Sequence, residues 1–300
     1  MVDESIAFFE SRYMPLREAR MSIVDPAITK SDIVFDVVSA TGGVFFRLDD
    51  HVERFETSCR KVRIVLPISR DDLKRVCAEC VHRSGFTDAC VFMCGTRGPY
   101  RSGGILGDPR DCDNGFYVYA VPYYYVVPRE RVESGAHVWI VKTRRAPNSA
   151  IDQIVKNFNR MDLTKGTFEA LDHGADAAVL LSTDGYVAEG PGFNIWIARH
   201  NALVTPGDNL LEGITRRSVF DLAQELGVVA NTGNIGADEL IAANEAFLST
   251  TAGGIIPVTR VNDQPLGNGA PGLMTMKLQQ QYWNRRRAGW HGTSVRSLVS

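Results

Sequence analysis

The sequence predicts a mixed α/β chain of two lobes. Three observations carry this. At 300 residues the chain allows one large domain or two smaller ones, with two lobes sharing one site expected. Segments that alternate apolar and polar residues take turns with segments whose apolar residues recur at helical spacing. Finally, Pro122-Tyr123-Tyr124-Tyr125-Val126-Val127-Pro128 brackets an extended stretch with no helical period. The expected division is a smaller α/β domain over 1–121, a linker over 122–128 and a larger α/β domain over 129–300.

Taken in order, residues 13–24 and 32–47 alternate as strands of a meander, with Gly42-Gly43 between. Asp49-Asp50 then cap a helix to about Ile64, with Val52, Phe55, Cys59 and Val62 on its apolar face. Ser69-Arg70-Asp71-Asp72 forms a capping box for a helix that ends near Gly85. Strands follow at 89–96 and 116–121, joined by a glycine-rich loop from Gly98 to Gly107. After the boundary come a strand at 136–143, a loop around Pro147-Asn148 and a helix over 162–173 stopped by Gly174. Strands at 177–182 and 194–198 lead to an amphipathic helix from Thr215 to Leu226, stopped by Gly227. The strand Ala246-Phe247-Leu248 and a helix over 273–286 complete the reading, with no internal repeat.

A formal charge of −2 gives no electrostatic case for nucleic acid or a membrane surface. Met-Val-Asp-Glu-Ser lacks the basic start and apolar core of a secretory leader, and the apolar run Phe116–Val127 is broken by Pro122. A cytoplasmic protein with buried, reduced thiols is expected. Cys77 and Cys80 form a C-x-x-C, but within a helical pattern and without a second pair, so no metal site is expected.

Several residues could carry chemistry. Lys156 sits in Ile154-Val155-Lys156-Asn157-Phe158, an apolar setting that would depress an amine's pKa and make it a nucleophile. Outside that setting it would be one more solvated lysine. Glu189 precedes Gly190-Pro191-Gly192; it is either an exposed turn carboxylate or an anion held against a heterocyclic nitrogen. Gly213-Ile214-Thr215 opens a helix, as an ordinary cap or as a phosphate seat built from free amides and a hydroxyl. Thr250, Thr251 and Ala252 belong to a small-residue loop after a strand, which is either a plain turn or a second anion seat. Arg54 lies on a solvated helix face or reaches a phosphate. An amine, an anion and a phosphate seat together suit one cofactor, pyridoxal 5'-phosphate.

The order of Asp-Asp-His-x-x-Arg (49–54), Lys156, Glu-Gly-x-Gly-Phe-Asn (189–194), Leu-x-Gly-Ile-Thr-Arg (211–216) and Thr-Thr-Ala-Gly-Gly-Ile-x-Pro (250–257) resembles the class IV, fold-type IV, pyridoxal-phosphate aminotransferases. The resemblance implies two α/β domains with the cofactor between them, and a homodimer whose partner completes the substrate pocket. It implies that Lys156 binds the cofactor aldehyde and Glu189 pairs with the ring nitrogen. Arg54, the Ile214 and Thr215 backbone and Thr251 would hold the phosphate, Gly213 and Thr250 would also belong to the cofactor site, and Leu211 would pack on the ring.

Within the family, residues 31–37, 45–51, 162–166 and 189–194 look most like the (R)-selective amine transaminases. Branched-chain and D-amino-acid aminotransferases, and a lyase resembling aminodeoxychorismate lyase, are the alternatives. The expected substrate pocket draws on Lys30, Phe35, Val37, Cys90, Phe92, Arg101, Arg160 and Ala252. Arg101, in the glycine-rich loop, would swing toward the carboxylate of a keto-acid acceptor. Arg160 and Lys30 would either strengthen that anionic preference or lie solvated at the rim.

Overall fold

The computed structural model describes residues 4–199 and 202–299. Met1–Asp3, on which part of the reading of the N-terminus rests, lie outside them. The chain divides into two compact units. Unit 1 comprises Met1–Tyr124, Val155–Asn159 and Gly289–Ser300; unit 2 comprises Tyr125–Ile154 and Arg160–Ala288. The two continuous ranges expected from the sequence therefore need correction, because 155–159 and 289–300 pack with the first unit.

Unit 1 contains β1 (Ile6–Phe9), β2 (Arg12–Pro15), α1 (Pro26–Thr29), β3 (Ile33–Thr41), β4 (Val44–Phe46), α2 (Leu48–Lys61), α3 (Arg70–Ser84), β5 (Ala89–Thr96) and β6 (Gly115–Pro122). From the C-terminal segment it adds β15 (Gly292–Ser294) and α9 (Arg296–Val299). The seven strands run β15-β4-β3-β5-β6-β1-β2, every pair antiparallel. Strand period separates the two faces. Val34, Val38 and Ala40 of β3 and Val91 and Met93 of β5 join Val52, Phe55, Leu73, Cys77 and Val81 in the helix-covered core. Phe35 and Val37, with Cys90 and Cys94, face the other way, against Phe92, Tyr117 and Tyr119. Asp36 belongs by parity to the helix face, and it is fully buried there.

Two local expectations fail for identifiable reasons. The strand expected over 13–24 stops at Pro15, and a 3-10 turn follows at Leu16–Glu18. Downstream, the Asp25 carboxylate caps Ala27 N–H at 2.7 Å and Pro26 starts α1, so Asp-Pro writes a helix start there. At α2 the cap is Arg47, in the left-handed region at φ 53, with no side-chain cap bond. Asp50 instead pairs with the Arg47 guanidinium at 2.8 Å. The Ser69 cap of α3 and its Gly85 stop, at φ 68, match expectation.

Unit 2 contains α4 (Arg131–Ser134), β7 (Ala136–Arg144), α5 (Met161–Asp172), β8 (Ala177–Leu181), β9 (Asn194–Arg199), β10 (Ala202–Thr205), α6 (Ile214–Glu225), β11 (Val229–Thr232), α7 (Ala237–Ile241), β12 (Ala246–Thr250), β13 (Gly254–Val261), β14 (Gln264–Pro265) and α8 (Leu273–Arg287). Its main sheet runs β11-β10-β9-β12-β13-β7-β8 and is mixed: β11/β10, β13/β7 and β7/β8 are parallel, the rest antiparallel. Ile195, Ile197, Leu248, Ile256 and Val258 fill the core on one side. On the other, Trp196 stacks on Phe247 and donates its indole N–H to Ser249 Oγ at 3.0 Å. Gly166 lets α5 close on β7 and β8, since a Cβ there would stand 3.0 Å from Leu180 and 3.2 Å from Val141.

All six cysteines are buried and free. Burial pushes the thiols of Cys59, Cys80 and Cys94 up to about 12, so they stay protonated at neutral pH. Among the described residues no helix is long and apolar enough to cross a membrane. Nor does any cluster there of three or more His, Cys, Asp or Glu have the arrangement to hold a metal.

Candidate active site

In unit 1 the lysine segment lies along the start of β3. Phe35 N–H donates to Lys156 C=O at 2.8 Å, and Val34 bridges Asn157 in antiparallel register. Lys156 N–H donates to Ser58 Oγ of α2 at 3.3 Å. Lys156 Nζ sits 4.3 Å from the centre of the Phe35 ring. Its apolar setting is narrower than the sequence suggests. Val155 is buried, but Ile154 and Phe158 are 40% and 36% exposed.

Beside the lysine runs an aromatic wall. Phe158 meets Phe35 with ring centres 4.7 Å apart, Phe92 stacks on Phe35 at 6.5 Å, and Tyr119 stacks on Phe92 at 4.6 Å. Val37 and Cys90 are buried in the same cluster. The wall follows from strand parity, since 35 and 37 on β3, 90 and 92 on β5 and 119 on β6 share one face.

Arg54 is not a solvated helix residue. Its Nε donates to Asp36 Oδ2 at 2.7 Å and its Nη2 to Asp36 Oδ1 at 2.9 Å. His51, one helical turn earlier, stands with Nδ1 at 2.7 Å from Asp36 Oδ1. Burial alone would push the Asp36 carboxyl up. Arg54 first, then His51, outweigh it and hold the group far below the usual carboxylate range. Burial dominates at His51 and lowers its pKa, so a neutral imidazole donates Nδ1–H to the carboxylate. Asp36 escaped notice in the sequence because it reads as one polar position in an alternating strand.

Lys30 and Arg101 answer to their own loop. Lys30 donates to the Tyr100 hydroxyl and lies 4.9 Å from that ring's centre. Arg101 donates to Asp113 at 2.8 Å, to Asp111 at 3.2 Å and to Cys112 C=O at 3.1 Å. Residues 111–113, past the glycine-rich loop, thus engage Arg101 at the surface, in place of the swinging role expected from composition.

Unit 2 holds the remaining candidates. Glu189 is buried, which rules out the exposed-turn reading. Its Oε1 accepts from Arg145 Nε at 3.0 Å and its Oε2 from Leu211 N–H at 3.1 Å. Leu211 C=O accepts from Asn194 Nδ2 at 2.8 Å, so Glu-Gly-Pro-Gly-Phe-Asn and the lead-in to α6 are tied at both ends of one residue. The two glycines are steric necessities: a Cβ on Gly190 would stand 2.1 Å from Phe193 and 2.4 Å from Ala178 C=O, and one on Gly213 2.1 Å from Asn194 Oδ1.

Gly213 caps α6 with no side-chain bond, and the first helix bond there runs from Arg217 N–H to Gly213 C=O. The amides of Ile214, Thr215 and Arg216 are left without helical acceptors. Arg216 turns inward to Pro206 C=O at 2.9 Å and is structural. Thr250 uses its hydroxyl on Gly192 C=O at 2.8 Å and accepts Ala252 N–H at 3.2 Å, which fixes the loop holding Thr251 and the buried Ala252. Arg160 is half-buried at the cap position of α5, where its side chain makes no cap bond. Arg145, directly after β7, was missed by sequence reasoning; an arginine next to another arginine at a strand end carries no signal of burial.

The chain is similar along most of its length to known proteins. Residues 33–261 match the family described as amino-transferase class IV. The chain is 30% identical over 279 residues to a provisional branched-chain-amino-acid aminotransferase of Methanocaldococcus jannaschii, covering 92% of this chain and 94% of that one. It is 28% identical to the D-alanine aminotransferase of Bacillus licheniformis, covering 92% and 95%. Among solved structures it superposes on the branched-chain aminotransferase of Thermoproteus uzoniensis with norvaline, at TM-score 0.87 and 28% identity over 97% of this chain and 99% of that one. A crystal structure of a T.th. branched-chain amino acid aminotransferase with pyridoxamine 5'-phosphate gives TM-score 0.88 and 27% identity over 97% and 98%. The chain belongs to the class IV aminotransferases, with the fold-type IV architecture and pyridoxal-phosphate chemistry of that family.

The residues fit that cofactor. Unit 2 offers a buried carboxylate and an uncapped helix start, and unit 1 an amine over an aromatic face and a guanidinium already aimed by Asp36.

Proposed function

We propose that the protein transfers amino groups between amino acids with apolar side chains and 2-keto acids, with Lys156 as its catalytic lysine. The observation that carries the substrate class is the wall of Phe35, Phe158, Phe92 and Tyr119 beside Lys156. Burying a leucine-sized side chain against such a surface contributes about 2 kcal/mol. The names of the relatives, for branched-chain amino acids and D-alanine, support an amino acid over a simple amine.

When bound, pyridoxal phosphate supplies an aldehyde that captures the amino group and a ring that withdraws electrons. Lys156 Nζ serves as the base that takes the α-proton of the amino acid. The aromatic wall excludes water from that proton. Glu189 provides the negative charge for the ring nitrogen. The amides of Ile214 and Thr215, with Arg54 and Thr251, provide the phosphate seat; Leu211 packs on the ring, and Ala252 lines the substrate pocket.

A second reading, an (R)-amine donor, draws support from Arg101, which is occupied by Asp111 and Asp113 rather than held ready for a substrate carboxylate. Single-turnover absorbance changes with L-leucine, D-alanine and (R)-1-phenylethylamine separate the readings. We expect L-leucine to convert the bound cofactor fastest. Conversion by the neutral amine alone would replace the first reading with the second.

A homodimer belongs to the same proposal. Supporting it, Ile23, Ile28, Ile105 and Leu106 of unit 1 are all more than half exposed. Sedimentation should give twice the chain mass; a monomer carrying full activity would remove it.

A further inference from the structure

Arg145 is only 6% exposed, and it holds three side chains at once. Nε donates to Glu189 Oε1 at 3.0 Å, Nη1 to Asp162 Oδ2 at 2.5 Å, and Nη2 to Gln153 Oε1. Each anchor is itself fixed. Arg145 N–H donates to Leu181 C=O at 2.9 Å. Asp162 also accepts from Ala146 N–H at 2.9 Å, and Gln153 Nε2 donates to Ala146 C=O at 2.8 Å. A planar guanidinium reaches three separated acceptors from three nitrogens in a fixed fork; an ammonium carries its three donors on one nitrogen and has no such reach.

The charges do not cancel. One guanidinium faces two carboxylates, the buried Glu189 and the half-buried Asp162, so the cluster is left with one negative charge. Burial pushes the Asp162 carboxyl up, yet the Ala146 N–H and Arg145 together bring it below its ordinary value, so it remains ionised. A buried excess of one negative charge is costly unless a cation is brought to it.

We infer that Arg145 is a positioning residue for Glu189, fixing the direction of that carboxylate, with Asp162 supplying the second charge, so that the cluster favours a protonated heterocyclic nitrogen beside Glu189. This rests on the reading that Glu189 serves the ring nitrogen of the cofactor. Without Arg145, Glu189 Oε1 would lose its guanidinium donor and the carboxylate would keep only the Leu211 N–H on Oε2, so it could turn away from its present position. A displaced Glu189 no longer presents its charge to that nitrogen.

The test binds pyridoxal phosphate labelled with nitrogen-15 in the ring to the wild type and to Arg145→Gln, Arg145→Lys and Glu189→Gln. The ring-nitrogen NMR shift reports its protonation, and steady-state kinetics are measured in parallel. In the wild type the nitrogen should be protonated, and Glu189→Gln should move the signal to the unprotonated position. Arg145→Gln should move it at least half as far, and Arg145→Lys, which keeps a charge but not the fork, should move it partway. In Arg145→Gln, kcat should fall about tenfold while KM for the amino acid changes less than twofold. If Arg145→Gln fails to fold, Arg145→Lys decides. A signal at the wild-type position in either Arg145 variant, with Glu189→Gln shifted, overturns the role of Arg145 and leaves that of Glu189. An unshifted Glu189→Gln overturns the reading beneath it.

Discussion

Lys156 is held through its backbone. Its carbonyl accepts from Phe35 N–H at 2.8 Å and its amide donates to Ser58 Oγ, so removing the amine leaves those bonds in place. Lys156→Ala should therefore keep the circular dichroism spectrum of the wild type. Turnover should fall on the order of 1000-fold or more, and borohydride should no longer fix a chromophore to the chain. Asp36 behaves in the opposite way. Asp36→Asn removes the buried carboxylate that Arg54 and His51 both engage, so we expect a loss of about 3 kcal/mol in denaturant unfolding. The sign with pH follows from both depressed pKa values. Asp36 contributes stability above about 3.9, the unfolded carboxylate value, and His51 above about 6.5, and both contributions are lost as pH falls toward the folded values. Unit 1 should thus begin to lose stability on acidification below about 6.5, and Asp36→Asn should flatten the lower part of that profile. A profile unchanged in the variant would show that the pair does not titrate with folding.

At the scale of elements, α6 depends on what precedes it. Gly213→Ala would drive a methyl into Asn194 Oδ1, and the helix start must shift or Asn194 must release Leu211. We expect a cost of about 2 kcal/mol, in the range of overpacking. Cofactor affinity should weaken by tenfold or more, read by absorbance titration of the apoenzyme. Retained affinity would show that the helix start is not the phosphate seat. Helices α3, α5 and α6 were legible because each carries its own apolar period and its own stop, as Gly85, Gly174 and Gly227 show with φ of 68. Strands β1, β10, β11 and β15 were not legible. Each is four residues or fewer and becomes a strand through its neighbour rather than its own pattern. The site divides likewise. Lys156, Glu189 and the Gly-Ile-Thr turn were visible as motifs, whereas Asp36 and Arg145 act through partners 18 and 44 residues away. No local pattern reports a pairing at that distance.

At the scale of the whole molecule, the C-terminal residues complete unit 1. Thr293 pairs with Phe45 in the β15/β4 ladder, and Val295 is buried in the same core as Phe55 and Leu73. Ending the chain at Arg287 should cost unit 1 about 2 kcal/mol from Val295 burial alone and lower its melting temperature by several degrees; a truncated chain as stable as the full one would contradict this. The chain passes from one unit to the other at 124/125, 154/155, 159/160 and 288/289. This interleaving has a consequence for recombination between relatives. A crossover in the tyrosine-rich boundary alone would hand a daughter protein β3 from one parent and the lysine pentapeptide 155–159 from the other. The register that sets the lysine, Val34 against Asn157 and Phe35 against Lys156, would then be a match between strangers. Viable hybrids should inherit both segments together, and the heritable module of this enzyme is a discontinuous one.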